Sequence, residues 1–117
     1  MKKIYYLSSC DTCKRILNEL KPLDGIELQD IKSEPITPEQ LIEMRNSAGS
    51  YEALFSKRAR LFNERQLKNQ DLKEKDYESL ILEHYTFLKR PVILVNNKIF
   101  IGNTAKVISE AKEIIHS

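Results

Sequence analysis

The sequence predicts an α/β fold: a four-stranded mixed sheet with helices on both faces and a helical insert between the second and third strands. Three observations predict it. The chain opens strand–helix–strand, and the crossover is long enough for the two strands to be parallel. Its middle is a run of helical patterns, about 37–88. It closes on two apolar runs joined by a tight turn and followed by an amphipathic helix, which add an antiparallel hairpin to the sheet. At 117 residues the chain is expected to form a single domain, 1–117, with one core and no linker.

Lys3 to Leu7 is short, aromatic and β-branched, and reads as the first strand. Ser8-Ser9 breaks it, and either serine is suited to capping the next helix. From Asp11 to Leu20 the residues Ile16, Leu17 and Leu20 recur at helical spacing, and Pro22 stops the helix. Ile26 to Ile31 alternates, as a strand with one buried face does. Thr37-Pro38-Glu39-Gln40 is a helix start, with Thr37 as cap, Pro38 at the first helical position and Gln40 completing a capping box. Gly49 is the natural stop. Tyr51 to Phe55 reads as a further short helix, while residues 56–72 are polar and basic with no clear pattern. Asp76 to Leu88 is helical again, with Tyr77, Leu80, Ile81, His84 and Leu88 on one stripe. Pro91 to Val95 is a buried strand, Asn96-Asn97 a turn, and Lys98 to Ile101 the returning strand. Gly102-Asn103-Thr104 leads into the last helix, whose inward residues are Val107, Ile108, Ala111, Ile114 and Ile115.

Composition narrows the function. The chain is 41% hydrophobic and 31% charged, the balance of a globular protein and not of a disordered or fibrous one. Nineteen basic and seventeen acidic residues leave a net charge of +2, too little for a global pull towards nucleic acid or anionic lipid. The four apolar residues at Ile4–Leu7 are too short for a secretory signal, and no run is long enough to span a membrane. A cytoplasmic location is expected. In that reducing setting the two cysteines, Cys10 and Cys13, point to redox chemistry or metal binding, not to a structural disulfide.

Cys10-Asp11-Thr12-Cys13 carries the chemistry. Cys10 lies where a strand gives way to a helix, and unpaired N–H groups there favour an anion. A thiolate is such an anion, so the Cys10 thiol is expected below its free value of about 8.5, with Lys14 and Arg15 adding positive potential. Cys13 shares the same helical face and is placed to attack a mixed disulfide formed at Cys10. Cys10 is then the nucleophile and Cys13 the resolving cysteine. A zinc site needs three or four ligands and only His84 and His116 remain as histidine candidates, so no metal is expected. Two inert buried thiols are the bland alternative. Arg90-Pro91 is either a plain helix stop or a cis bond close to the cysteines. Residues 57–68 hold Lys57, Arg58, Arg60, Arg65 and Lys68 against one acid, Glu64, which fits an oxyanion-binding fork or a solvated basic face. His84 reads as a core histidine and not a catalyst; Tyr5 and Tyr6 read as strand residues packing near the cysteines.

The run Ile4-Tyr5-Tyr6-Leu7-Ser8-Ser9-Cys10-Asp11-Thr12-Cys13-Lys14-Arg15 resembles the opening of the arsenate reductase (ArsC)/Spx family. Leu54-Phe55-Ser56-Lys57-Arg58 resembles that family's insert motif, and Leu88-Lys89-Arg90-Pro91-Val92-Ile93 its Arg-Pro strand start. The resemblance covers nearly the whole chain. It implies a thioredoxin-like (glutaredoxin-like) fold with a helical insert. By resemblance Cys10 aligns with the nucleophilic cysteine, Arg90 with the arginine before a cis-proline, Pro91 with that proline and Arg58 with the insert arginine near the thiol pocket. Ser9 and Thr12, beside Cys10, join Arg58, Arg90 and Pro91 as the expected substrate-binding residues. The implied activity is thiol-dependent reduction of a disulfide or an arsenate-like oxyanion. It needs no bound cofactor and draws on an external thiol reductant, glutathione with glutaredoxin or thioredoxin. Two features depart from the single-cysteine arsenate reductases: Phe100 to Thr104 lacks an arginine, and Cys13 is a second cysteine. Both bring the chain closer to Spx-like regulators, which sense redox state through a CxxC and bind RNA polymerase. The expected partners are a small thiol or redox protein, with RNA polymerase as the alternative. The chain is expected to be a monomer that touches neither membrane nor DNA directly.

Overall fold

The computed structural model describes residues 2–117 and divides into two compact units, Met1–Glu34 with Arg90–Ser117, and Pro35–Lys89. The first unit holds the predicted four-stranded mixed sheet. Its strands are β1 (Lys2–Tyr6), β2 (Glu27–Asp30), β3 (Val92–Val95) and β4 (Lys98–Ile101), in the order β2-β1-β3-β4. β1 runs parallel to β2 and antiparallel to β3, and β3 and β4 form the antiparallel hairpin. The turn between them has Asn96 at φ +57°, a conformation that asparagine adopts more readily than most side chains.

Two helices, α1 (Asp11–Leu20) and α5 (Ala105–Ile115), pack on one face of this sheet. Ile16 and Leu20 of α1 and Ile108, Ala111 and Ile115 of α5 bury against Ile4, Ile93 and Val95. Thr104 caps α5 by accepting from the Val107 N–H at 3.2 Å. At the far end His116 Nε2 lies 2.8 Å from the Leu20 carbonyl, which ties the end of α5 to the end of α1. The opposite face carries Lys3, Tyr5, Val92 and Leu94, also buried. Lys3 is kept there by Glu27, directly across on β2, at 2.7 Å, and by the Tyr5 ring 4.9 Å from its nitrogen.

The expected apolar face of β2 is only partly present. Leu28 is 42% exposed, while Gln29 is 2% exposed and donates to the Glu34 carbonyl at 2.9 Å. β2 is an edge strand. The helices that cover Ile4 and Ile93 leave Leu28 half open, and the position beside Tyr5 takes a polar side chain that finds a backbone acceptor.

The second unit is helical. α2 (Pro38–Ala48) starts at Thr37, whose hydroxyl accepts from the Gln40 N–H while Gln40 accepts from the Thr37 N–H, both at 3.1 Å. It stops at Gly49, φ +96°, as the glycine predicts. The short helix expected at Tyr51–Phe55 is a single 3-10 turn, Glu52–Leu54. The region without a clear pattern holds α3 (Arg60–Glu64) and another 3-10 turn, Leu67–Asn69. Phe55 is the centre of this unit's core: Phe87 stacks on it at 5.3 Å, and Tyr77 and Phe62 pack at 4.8 and 5.9 Å.

The helix predicted over 76–88 is shorter. α4 (Glu74–Glu83) ends at His84, which is extended (φ −148°, ψ 131°), and a 3-10 turn, Tyr85–Phe87, comes next. His84 is therefore a helix-end residue and not the mid-helix one its spacing suggested. Its Nδ1 accepts from the Thr86 N–H at 3.0 Å, a local bond that competes with continued helix.

Candidate active site

The register of β1 with its neighbours brings the site together. β1 hands the chain to a short turn, Leu7 to Cys10, closed by the Cys10 N–H donating to the Leu7 carbonyl at 3.0 Å. Cys10 is the N-cap of α1, and its carbonyl accepts the first helical bond from Lys14 at 3.1 Å. Tyr5 pairs with Val92, so the antiparallel register carries Arg90 level with Leu7, beside the turn. Tyr6 pairs with Asp30, so the parallel register brings Asp30 up to Ser8.

Cys10 is half-buried and Cys13 is 1% exposed, and both are free thiols. Their environments drive them apart. Burial raises the Cys10 thiol, but the Cys13 N–H, the Cys13 thiol, the Thr12 N–H and the Arg90 charge outweigh it, and Cys10 sits below its ordinary value. Burial pushes Cys13 up to about 11; a backbone contact with Leu7 and the Arg90 charge oppose this, while the Cys10 sulfur adds to it by charge and by accepting the Cys13 proton in a hydrogen bond. The pair is thus an ionisable sulfur at the helix start and a proton-holding sulfur one turn on.

The positive charge acting on the pair is that of Arg90, and Lys14 and Arg15 are exposed on α1. The Arg90–Pro91 peptide is cis, one of the two alternatives the sequence allowed. Pro91 is buried, and its carbonyl accepts from the Gly102 N–H at 3.0 Å. The Thr12 N–H, in the first turn of α1, favours the Cys10 thiolate, and Ser9 is exposed in the turn. Arg58 belongs to the second unit, where it is exposed just ahead of α3. The basic run around it is largely neutralised: Lys57 pairs with Glu52 at 2.8 Å, Arg60 with Glu64 at 3.1 Å and Arg65 with Glu83 at 2.9 Å. Among the described residues no group of three or more His, Cys, Asp or Glu side chains is gathered to hold a metal, and no helix is long and apolar enough to cross a membrane.

Neither Ser8 nor Ser9 caps α1, since Cys10 is its N-cap, and sequence reasoning missed what Ser8 does instead, its pairing with Asp30. The Ser8 hydroxyl donates to Asp30 Oδ2 at 2.6 Å and the Ser8 N–H to Oδ1 at 3.2 Å. The only signal was a carboxylate at the end of a predicted strand parallel to the one that leads into the cysteines.

A profile of the ArsC family matches residues 5–111. No curated protein sequence matches the chain. Solved structures are similar throughout its length. An arsenate reductase from Vibrio cholerae has a TM-score of 0.77 at 17% identity, covering 97% of this chain and 96% of its own. An arsenate reductase (ArsC) related protein from Brucella melitensis has a TM-score of 0.71 at 21% identity, covering 90% and 88%. A Staphylococcus aureus protein solved by NMR has a TM-score of 0.76 at 25% identity, covering 94% and 97%.

Proposed function

Since the chain belongs to the ArsC family, with its thioredoxin-like sheet and a thiol-dependent redox role, we propose that it is a thiol–disulfide oxidoreductase with Cys10 as nucleophile and Cys13 as resolving cysteine. The observation that carries this reading is the division of the pair: Cys10 held below its ordinary value and Cys13 pushed up to about 11. One sulfur is ready to attack while the other keeps its proton until needed.

The Cys10 thiolate attacks one sulfur of a substrate disulfide. A Cys10–substrate bond forms, the substrate S–S bond breaks, and one substrate thiolate leaves. That thiolate takes the proton of Cys13. The Cys13 thiolate then attacks the Cys10 sulfur, forms the Cys10–Cys13 disulfide and releases the second substrate thiolate. Two electrons pass from the pair to the substrate, and an external thiol reductant, glutathione with glutaredoxin or thioredoxin, returns them. Arg90 supplies the charge that favours the ionised form of Cys10.

A second substrate class is an arsenate-like oxyanion. The Arg90 charge beside Cys10 favours it. Assaying disulfide reduction and arsenate-dependent thiol oxidation side by side separates the two. The Cys10→Ser protein should lose whichever activity the native protein has. The Cys13→Ser protein should accumulate a mixed disulfide at Cys10, visible as a mass increase. Full activity in Cys10→Ser overturns the reading.

A further inference from the structure

Asp30 stands at the end of β2, outside the chemistry described above, and its carboxylate accepts four hydrogen bonds. Oδ1 accepts from the Ser8 N–H at 3.2 Å and from the Lys32 N–H at 3.2 Å. Oδ2 accepts from the Ser8 hydroxyl at 2.6 Å and from the Ser33 hydroxyl at 3.1 Å, and Ser33 also reaches the Asp30 carbonyl at 3.5 Å. No basic side chain is among these partners. Asp30 is nevertheless held below the usual carboxylate range, first by the Ser8 hydroxyl and, against a smaller opposing effect of burial, by the Ser8, Lys32 and Ser33 donors.

Two of those donors belong to one residue, Ser8, in the turn that delivers Cys10 to the start of α1. A neutral acceptor would satisfy a serine hydroxyl. A carboxylate that takes both the hydroxyl and the N–H of the same residue fixes its backbone as well. The turn is pinned from both sides, by Asp30 at Ser8 and by the Leu7 carbonyl at Cys10. That turn ends at Cys10, the N-cap of α1, where the nearby Thr12 and Cys13 N–H groups favour the thiolate.

We propose that Asp30 is a positioning residue for the nucleophile: by clamping Ser8 it holds the Leu7–Cys10 turn so that the Cys10 sulfur faces the first N–H groups of α1. The proposal rests on the reading of Cys10 as nucleophile, but its test does not need a substrate. The carboxylate has two conceivable effects on Cys10, and they have opposite signs. A negative charge acting directly would disfavour the thiolate, so its removal would speed alkylation. A clamp favours the thiolate through geometry, so its removal slows alkylation.

The test is the rate of iodoacetamide alkylation at Cys10 as a function of pH, read by peptide mass mapping. It uses the reduced, full-length native protein and its Asp30→Ala, Asp30→Asn and Ser8→Ala variants, each checked for native circular dichroism. Asp30→Ala should move the midpoint up by about one pH unit, which is roughly tenfold slower alkylation below the midpoint. Asp30→Asn keeps one oxygen to accept from the Ser8 N–H and offers its NH2 group to the Ser8 hydroxyl oxygen, so both links are held without the charge and the rate should stay within about threefold of native. Ser8→Ala, which keeps the N–H but loses the hydroxyl, should fall between. An unchanged or lowered midpoint in folded Asp30→Ala overturns the proposal, whatever happens to the melting temperature. Should Asp30→Ala not fold, Ser8→Ala decides: slower alkylation supports the clamp and an unchanged rate overturns it. A native protein that reduces no disulfide and no arsenate would overturn the proposed function while leaving this measurement intact.

Discussion

Cys13 is where a single residue's chemistry has the widest reach. Its thiol is buried and pushed up to about 11, so in the native state it stays protonated well above the ordinary value near 9. Below about pH 9 both states carry the proton, and stability is unaffected. From there to about 11 the unfolded thiol ionises while the native one does not, so the unfolded state is favoured as pH rises. Native stability should fall across that window by an amount on the order of 2 kcal/mol, and the Cys13→Ala protein should lack that component in pH-dependent urea titrations. Cys10 runs the other way: its depressed value means that its contribution is lost as pH falls through the native value. The two cysteines and the strand–helix junction that holds them were legible in the sequence, because strand, CxxC and helix start are all local. Arg90 was legible as a motif. Asp30 and Ser8 were not, because what joins them is a strand register spanning twenty-two residues, and nothing in either residue's own neighbourhood announces the other.

Among the elements, α2 shows how much a local signal can fix. The hydroxyl of Thr37, the ring of Pro38 and the side chain of Gln40 occupy the places the sequence assigns them, and Gly49 takes the left-handed conformation that ends the helix. Thr37→Ala should cost about 1 kcal/mol in urea unfolding, since it orphans the Gln40 N–H and breaks the reciprocal pair. α4 shows the limit. The stripe from Tyr77 to Leu88 has helical spacing, yet the helix ends at Glu83, because His84 supplies its own acceptor to Thr86 and the next residues turn as 3-10. Hydrophobic spacing cannot distinguish a continuous helix from a helix and a tight turn that bury the same side. β2 failed similarly. Its alternation is genuine, but an edge position decides that Gln29 and not Leu28 is enclosed.

In the whole molecule, each compact unit has its own aromatic or aliphatic centre. In the second unit that centre is Phe55, so Phe55→Ala should lower the unfolding free energy by about 3–5 kcal/mol, the range for emptying a well-packed aromatic site. The parallel pair, the antiparallel hairpin and the flanking of the sheet by helices were readable, because the hairpin turn and the parallel crossover each leave a local trace; the strand order was not. The second unit, Pro35–Lys89, nearly coincides with the helical stretch read at about 37–88, although no glycine-rich or proline-rich linker marks the partition.

That partition has a consequence for a chain emerging from the ribosome. β1 is a central strand, yet its neighbour β3 lies beyond the whole of Pro35–Lys89. At translation speeds of about 5–20 residues per second, roughly 4–16 s separate the exit of the cysteine pair from the arrival of Arg90. During that interval the nascent thiols have neither the guanidinium nor a completed sheet beside them, and their capture by cellular oxidants is governed by unfolded chemistry alone.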